Sequence, residues 1–172
     1  MSFVKSTLKF VAGLAALVAA TVAVTLFAAR FADGPWAIIS GGSFTSGQLV
    51  TEEPDWTFIK DRQEVEFELV STGRSRVTWI AEAQGRIFIP SGYMNSTVGK
   101  IWKQWPIHAE QDGRAILRVD DDLYHRTLVR IKDDPALAQV RSELARKYLG
   151  GGEVPESEIT SNNLWIFEMV KR

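Results

Sequence analysis

Arg74 and Arg76 stand two residues apart in the stretch STGRSRVTW. In extended chain that spacing puts both guanidinium groups on one face, where they offer bidentate hydrogen bonds to a phosphate or a carboxylate. Two further stretches carry compatible chemistry. Pro90-Ser91-Gly92 ends an apolar run and supplies a hydroxyl beside an unobstructed backbone N–H, a small concavity suited to an anion. Downstream, Lys100 and Lys103 interleave with Trp102 and Trp105, close to His108. A lysine that reaches phosphate while an indole stacks is one way to hold a planar anionic molecule. Each stretch also has a plainer reading. The arginines are solvated or paired with Glu64, Glu66 and Glu68, Pro-Ser-Gly is an ordinary turn, and the tryptophans are core with the lysines in water. Trp102 and Trp105, three apart, fit one face of a short helix packed on a sheet.

Other chemistries are argued against. The two histidines, His108 and His125, have no acidic ligand cluster near them, and Asp120-Asp121-Asp122 reads as a hairpin turn, so no metal site is expected. In GGSFTSG, Thr45 occupies the last position of a G-x-S-x-G nucleophile pattern around Ser43, which excludes that hydrolase signature. Without cysteine there is no disulfide, thiolate zinc site or cysteine nucleophile. A formal net charge of −1 over 172 residues argues against a nucleic-acid partner. No side chain stands out as an obligatory acid or base, so no catalytic residue is assigned.

The elements that must position these residues are mostly strands. EVEFELV (64–70) alternates, with Val65, Phe67 and Leu69 facing one way and the glutamates the other. A polar turn around Gly73 follows. Strands are expected over 76–83 and 86–90, joined at Gln84-Gly85, and a second hairpin joins RAILRV (114–119) to LYHRTLVRI (123–131). NLWIFEMV (163–170) is a further strand that should close the sheet. One helix is clear: Asp134 caps it, Pro135 takes its first position, and Leu137, Val140, Leu144 and Tyr148 recur at helical spacing. Arg141, Arg146 and Lys147 are expected to face water, and Gly150-Gly151-Gly152 ends the helix. Together these imply a mainly β (α+β) chain folded as a small antiparallel barrel with one or two packing helices.

Residues 10–29, FVAGLAALVAATVAVTLFAA, carry no charge and are long enough to cross a bilayer. Lys5 and Lys9 precede this span and Arg30 follows it, so the N-terminus is expected in the cytoplasm and the folded part outside. A cleaved signal peptide is the competing reading. It fits less well, because the apolar run is long and cleavage after Ala29 would put Phe27 at the −3 position. The expected organisation is a cytoplasmic N-terminus (1–9), a transmembrane anchor in the lipid bilayer (10–30), an extended lead-in segment (31–63) and the barrel (64–172). Trp36, Ile38, Ile39 and Phe44 argue that the lead-in is ordered.

The order STGRSRVTWIAEAQGRIFIPSGY, then K-x-W-K-x-W, then GRAILRVDDDLYHRTLVRI and a helix resembles the flavin-binding split barrel. That is the fold of pyridoxamine-phosphate oxidases and of deazaflavin-dependent nitroreductase-like proteins. The resemblance covers roughly residues 64–148. It implies a split β-barrel, a homodimer with the cofactor in a groove at the dimer interface, and FMN or a deazaflavin carrying oxidoreductase chemistry. The residues implied to contact that cofactor are Arg74, Arg76, Pro90, Ser91, Gly92, Lys100, Lys103 and Trp105. The chain departs from the oxidase pattern after the second strand, where Ile-Pro-Ser-Gly stands in place of a Tyr-Thr-Asn type stretch. An alternative on the same fold is a noncatalytic module that binds a ligand, lipid or protein at the membrane surface.

Overall fold

The computed structural model describes residues 2–172, and the side chains of all of these except residues 2–4, 98 and 102. Along β2 (Glu64–Leu69), Val65, Phe67 and Leu69 are buried as the alternation requires. Glu68 is buried as well, because its carboxylate accepts the Phe44 N–H at 2.8 Å. β2 pairs antiparallel with β3 (Arg74–Trp79) and β6 (Arg114–Val119). From β6 the sheet continues through β7 (Asp122–Ile131), β8 (Trp165–Lys171) and β5 (Arg86–Ser91) to β4 (Ala81–Ala83). A short β1 (Gln48–Leu49) lies parallel to β7.

The two edge strands of this sheet, β3 and β4, are consecutive in the chain with Ile80 alone between them. The sheet must therefore curl back on itself. β3 and β5 approach one another without forming a ladder, which leaves one seam open. The result is an antiparallel split barrel. The strand expected over 76–83 is thus two strands, and the break is what turns the wall. Its polar groups are met from α4 (Leu137–Tyr148). Tyr148 Oη accepts the Ile80 N–H at 2.9 Å, and Lys147 Nζ donates to the Ile80 and Ile59 carbonyls at 2.7 and 3.1 Å. The Tyr148 ring stacks on Trp79 at 4.2 Å, and burial pushes its phenol up to about 12. Lys147 is accordingly half-buried rather than solvent-facing, and burial lowers its ammonium to about 8. Arg141 is also partly covered, donating to the Val154 carbonyl at 2.8 Å. Tyr148→Phe removes the partner of the buried Ile80 amide and should cost about 1–3 kcal/mol, read as a lower denaturation midpoint with an unchanged m-value.

Strand β5 is apolar on both faces because both are covered. Ile87 and Ile89 join the barrel interior with Phe67, Leu117 and Phe167, while Phe88 packs outward against Val140, Leu144 and Ile166. The Gln84-Gly85 hairpin has both residues at positive φ, 57° and 74°, as a tight primed turn requires. β8 lies inside the sheet between β7 and β5 rather than at a closing edge. Asp134 accepts the Ala136 N–H at 2.8 Å, yet the regular helix begins only at Leu137. Three short helices add to the expected one: α2 (Thr97–Trp102), α3 (Trp105–Gln111) and α5 (Glu156–Thr160). The core also reaches back into the lead-in segment, where a 3₁₀ turn (Trp56–Asp61) buries Trp56 and Ile59.

At the N-terminus α1 (Ser2–Ala29) contains 25 residues, Lys5–Ala29, apolar enough to cross a membrane. Its last residue, Ala29, is fully buried.

Candidate functional site

Register decides where the arginine pair points. Phe67 lies opposite Arg76 and Leu69 opposite Arg74 across the β2–β3 ladder. Residues directly opposite share a face. Both arginines therefore sit on the face of Phe67 and Leu69, at the end of the barrel, while Glu64, Glu66 and Glu68 occupy the other. The ion pairs weighed from the sequence do not form. Glu66 goes to Arg118, and Glu68 to the Phe44 amide. Among the described residues Arg30, Arg74, Arg76 and Arg172 are the arginines without a carboxylate partner; the remaining eight all have one.

The Arg76 guanidinium is enclosed between two aromatic rings, its carbon 5.6 Å from the Phe67 centroid and 5.8 Å from that of Trp105. Its Nε is buried with no hydrogen-bond partner. Burial, with Arg74 nearby, lowers its pKa to about 10. A part-buried cation with no carboxylate and an unsatisfied Nε is costly, so its retention beside a cavity marks a candidate anion receptor.

That cavity occupies the open seam and has a volume of about 800 Å³. It lies within the range typical of small-molecule and cofactor sites. β3 contributes Arg76 and Thr78 to Trp79, β5 contributes Pro90 and Ser91, and the following loop adds Gly92 and Tyr93. Lys103 comes from the break between α2 and α3 and Trp105 from the start of α3, and Leu144, Val154 and Leu164 form an apolar wall. Six of the eight candidate residues thus meet around one cavity.

Their chemistry differs from the sequence expectation in several respects. Ser91 is 2 % exposed and its hydroxyl turns to Met94 Sδ at 3.3 Å, so it is not free for an anion. The Gly92 carbonyl accepts from Lys103 Nζ at 2.8 Å. The sharp bend falls one residue later, at Tyr93, with a φ of 60°. Lys103 is half-buried, burial lowers its pKa, and its ammonium keeps donors beyond the one Gly92 uses. Lys100 is exposed on α2 and lines no cavity described here, which separates it from the group. The indoles do not share one helix, because the chain breaks at Lys103-Gln104 with Pro106 near the start of α3. Trp105 is core, edge-on to Phe67 at 5.1 Å. The side chain of Trp102 lies outside the described residues. Arg74 opens instead into a neighbouring hollow that shares Arg76 and Trp105 as walls.

Sequence reasoning did not single out Trp79, Tyr93, Glu64, Glu158 or Asn163 as lining residues. Glu158 and Asn163 arrive on a short helix and its exit turn, for which 153–163 carries no strong periodicity.

A curled antiparallel sheet, open along one seam and holding an apolar cavity with an orphaned guanidinium there, defines a split-barrel protein with a candidate ligand site. Solved structures of similar shape include a conserved hypothetical protein of Mycobacterium tuberculosis, at 15% identity and a TM-score of 0.47, covering 76% of this chain and 85% of that one. A Listeria innocua protein provisionally assigned as a pyridoxamine 5'-phosphate oxidase is similar at 9% identity and a TM-score of 0.44, covering 66% and 87%. The heme storage protein HutZ of Vibrio cholerae is similar at 10% identity and a TM-score of 0.38, covering 72% and 92%. No protein-family model matches the chain. No curated protein matches it.

Proposed function

We propose that this chain is a membrane-anchored split-barrel protein that holds FMN or a deazaflavin in the seam cavity and acts as an oxidoreductase. The observation that carries the reading is the orphaned Arg76 guanidinium, held between Phe67 and Trp105 beside an otherwise largely apolar cavity. The residues present fit such a group. Arg76 and Lys103 would meet an anionic tail, and Trp79, Val77, Leu144 and Leu164 offer apolar surface to a ring. A bound flavin or deazaflavin supplies hydride transfer. The protein's own part is to bind, orient and exclude water. The apolar span before Arg30 would keep the N-terminus in the cytoplasm and the barrel outside.

The test is an optical titration of the purified full chain in neutral detergent with FMN. Saturable binding that survives gel filtration supports the reading, and no uptake of FMN or deazaflavin overturns it. The pH dependence of that binding is fixed in sign. Arg76 is cationic below about 10 and loses its charge above it, and a bound anion moves that point upward. Affinity should therefore hold through neutral pH and fall only at alkaline pH, at or above about 10. A loss already complete near neutrality would assign the anion contact to another group.

A second reading, a noncatalytic carrier of an amphipathic ligand, is favoured by the apolar surface at the mouth. Ile38 is 91% and Tyr93 72% exposed there. An anionic amphiphile that binds where FMN does not would select it.

A further inference from the structure

We infer that the hollow at the foot of the apolar helix binds a phosphate group at the bilayer surface, supplied by the headgroup of an anionic phospholipid; the headgroup assignment rests on α1 spanning a membrane. The hollow, about 760 Å³, is lined by Arg30, Arg74, Arg76, Ser40, Gln104 and His108 among others, and no carboxylate lines it. Three of the four arginines without a carboxylate partner among the described residues therefore gather in one place. Arg74 donates Nη2 to the Ser40 carbonyl at 2.7 Å, but its Nη1 is buried without a partner, as is Arg76 Nε. Burial and the charge of Arg30 both lower the Arg74 pKa. Arg30 is exposed and its charge is screened by water, but the buried Arg74 Nη1 and Arg76 Nε lack an acceptor, and a phosphate diester oxygen matches the guanidinium fork.

The geometry also sets the depth. Helical turns continue past Ala29, with the Ala32 N–H reaching the Ala29 carbonyl at 3.2 Å. The chain that follows is clamped to β3. Gly42 donates to the Ala32 carbonyl at 3.1 Å, and its own carbonyl accepts from Ser75 Oγ at 2.6 Å. A Cβ on Gly42 would lie 2.4 Å from the Arg30 carbonyl oxygen, so the approach needs glycine. Arg30 is thereby fixed relative to Arg74 rather than hinged. The 25 residues of Lys5–Ala29 measure about 37 Å at a rise of about 1.5 Å per residue, longer than a hydrocarbon core of about 30 Å. The end of the helix thus lies in the headgroup layer. Lipid phosphate and the arginine cluster occupy one depth.

The experiment uses the full chain in neutral maltoside micelles and reads melting temperature with four additives: dihexanoyl phosphatidylglycerol, dihexanoyl phosphatidylcholine, inorganic phosphate and FMN. Phosphatidylglycerol should raise the melting temperature saturably, by about 5–10 °C at a hundredfold excess over Kd. Phosphatidylcholine should do so much less, and the Arg30→Gln/Arg74→Gln double variant should melt normally without additive yet lose the phosphatidylglycerol shift. The variant's retained response to FMN would show that the seam cavity is intact and separate. An equal shift in the variant, no shift with phosphatidylglycerol, or a full shift with inorganic phosphate alone overturns the proposal. Carbonate extraction of membranes carrying the chain tests the anchor by itself. A chain released into the wash refutes the spanning helix and with it the headgroup assignment, whereas a retained chain that ignores phosphatidylglycerol refutes the site.

Discussion

Arg76→Met is expected to raise the melting temperature of the unliganded protein while weakening its affinity for anions. Burial, with Arg74 nearby, holds the guanidinium at about 10, well below its ordinary value, which corresponds to about 3 kcal/mol of disfavoured charge. Water entering the cavity screens part of that, leaving about 2 kcal/mol. Methionine forfeits about 1 kcal/mol of cation–π attraction to Phe67 and Trp105 but keeps the packing, with its sulfur against the same rings. The net gain is about 1 kcal/mol, or a rise of about 2–4 °C for a chain of this size. Anion affinity should fall by about tenfold to a hundredfold, the worth of one charge-assisted contact. A variant that melts lower and binds as before would identify Arg76 as structural.

The largest loss of stability is expected at Glu53→Ala. Arg126 is 1% exposed, and Glu53 is its carboxylate partner, with Arg126 Nη1 donating at 2.8 and 3.0 Å. The Trp56 indole donates to the same carboxylate at 2.5 Å. Truncation strands a buried cation and should cost about 3–5 kcal/mol. Glu53→Gln keeps an acceptor for both donors and should cost less. Burial alone would raise the Glu53 carboxyl, but hydrogen bonds from Arg126 and Trp56 outweigh it and hold the group below its ordinary 4.5. Its contribution is thus complete above the usual glutamate range and is lost as pH falls through the lowered value. Denaturant melts of the two variants at neutral and acid pH check both points.

The barrel was legible because its period-two strands and primed hairpin are local signals, plain in EVEFELV and at Gln84-Gly85. The break at Ile80 was not, because nothing in VTWIAEA marks it. It exists to turn the wall, and its amide is met by Tyr148, distant in sequence. The lead-in segment hid its contribution for a similar reason. Trp56 and Ile59 sit in a single 3₁₀ turn, too short for a period, and Glu53 finds Arg126 only in three dimensions. At the site, the spacing of Arg74 and Arg76 foretold a shared face but not which one. The β2–β3 register put them with Phe67 and Leu69 and so denied them the glutamates. Ser91 looked available in sequence because composition does not show burial, and Lys100 looked close because α2 and α3 could be read as one helix.

The most direct test compares FMN with riboflavin, which lacks the phosphate, by calorimetric titration of the full chain. If Arg76 is the main anion receptor of the seam cavity, FMN binds at least about tenfold tighter than riboflavin, and Arg76→Met removes most of the difference. Equal binding of the two by the wild-type chain, or an FMN preference undiminished in the variant, would contradict the account.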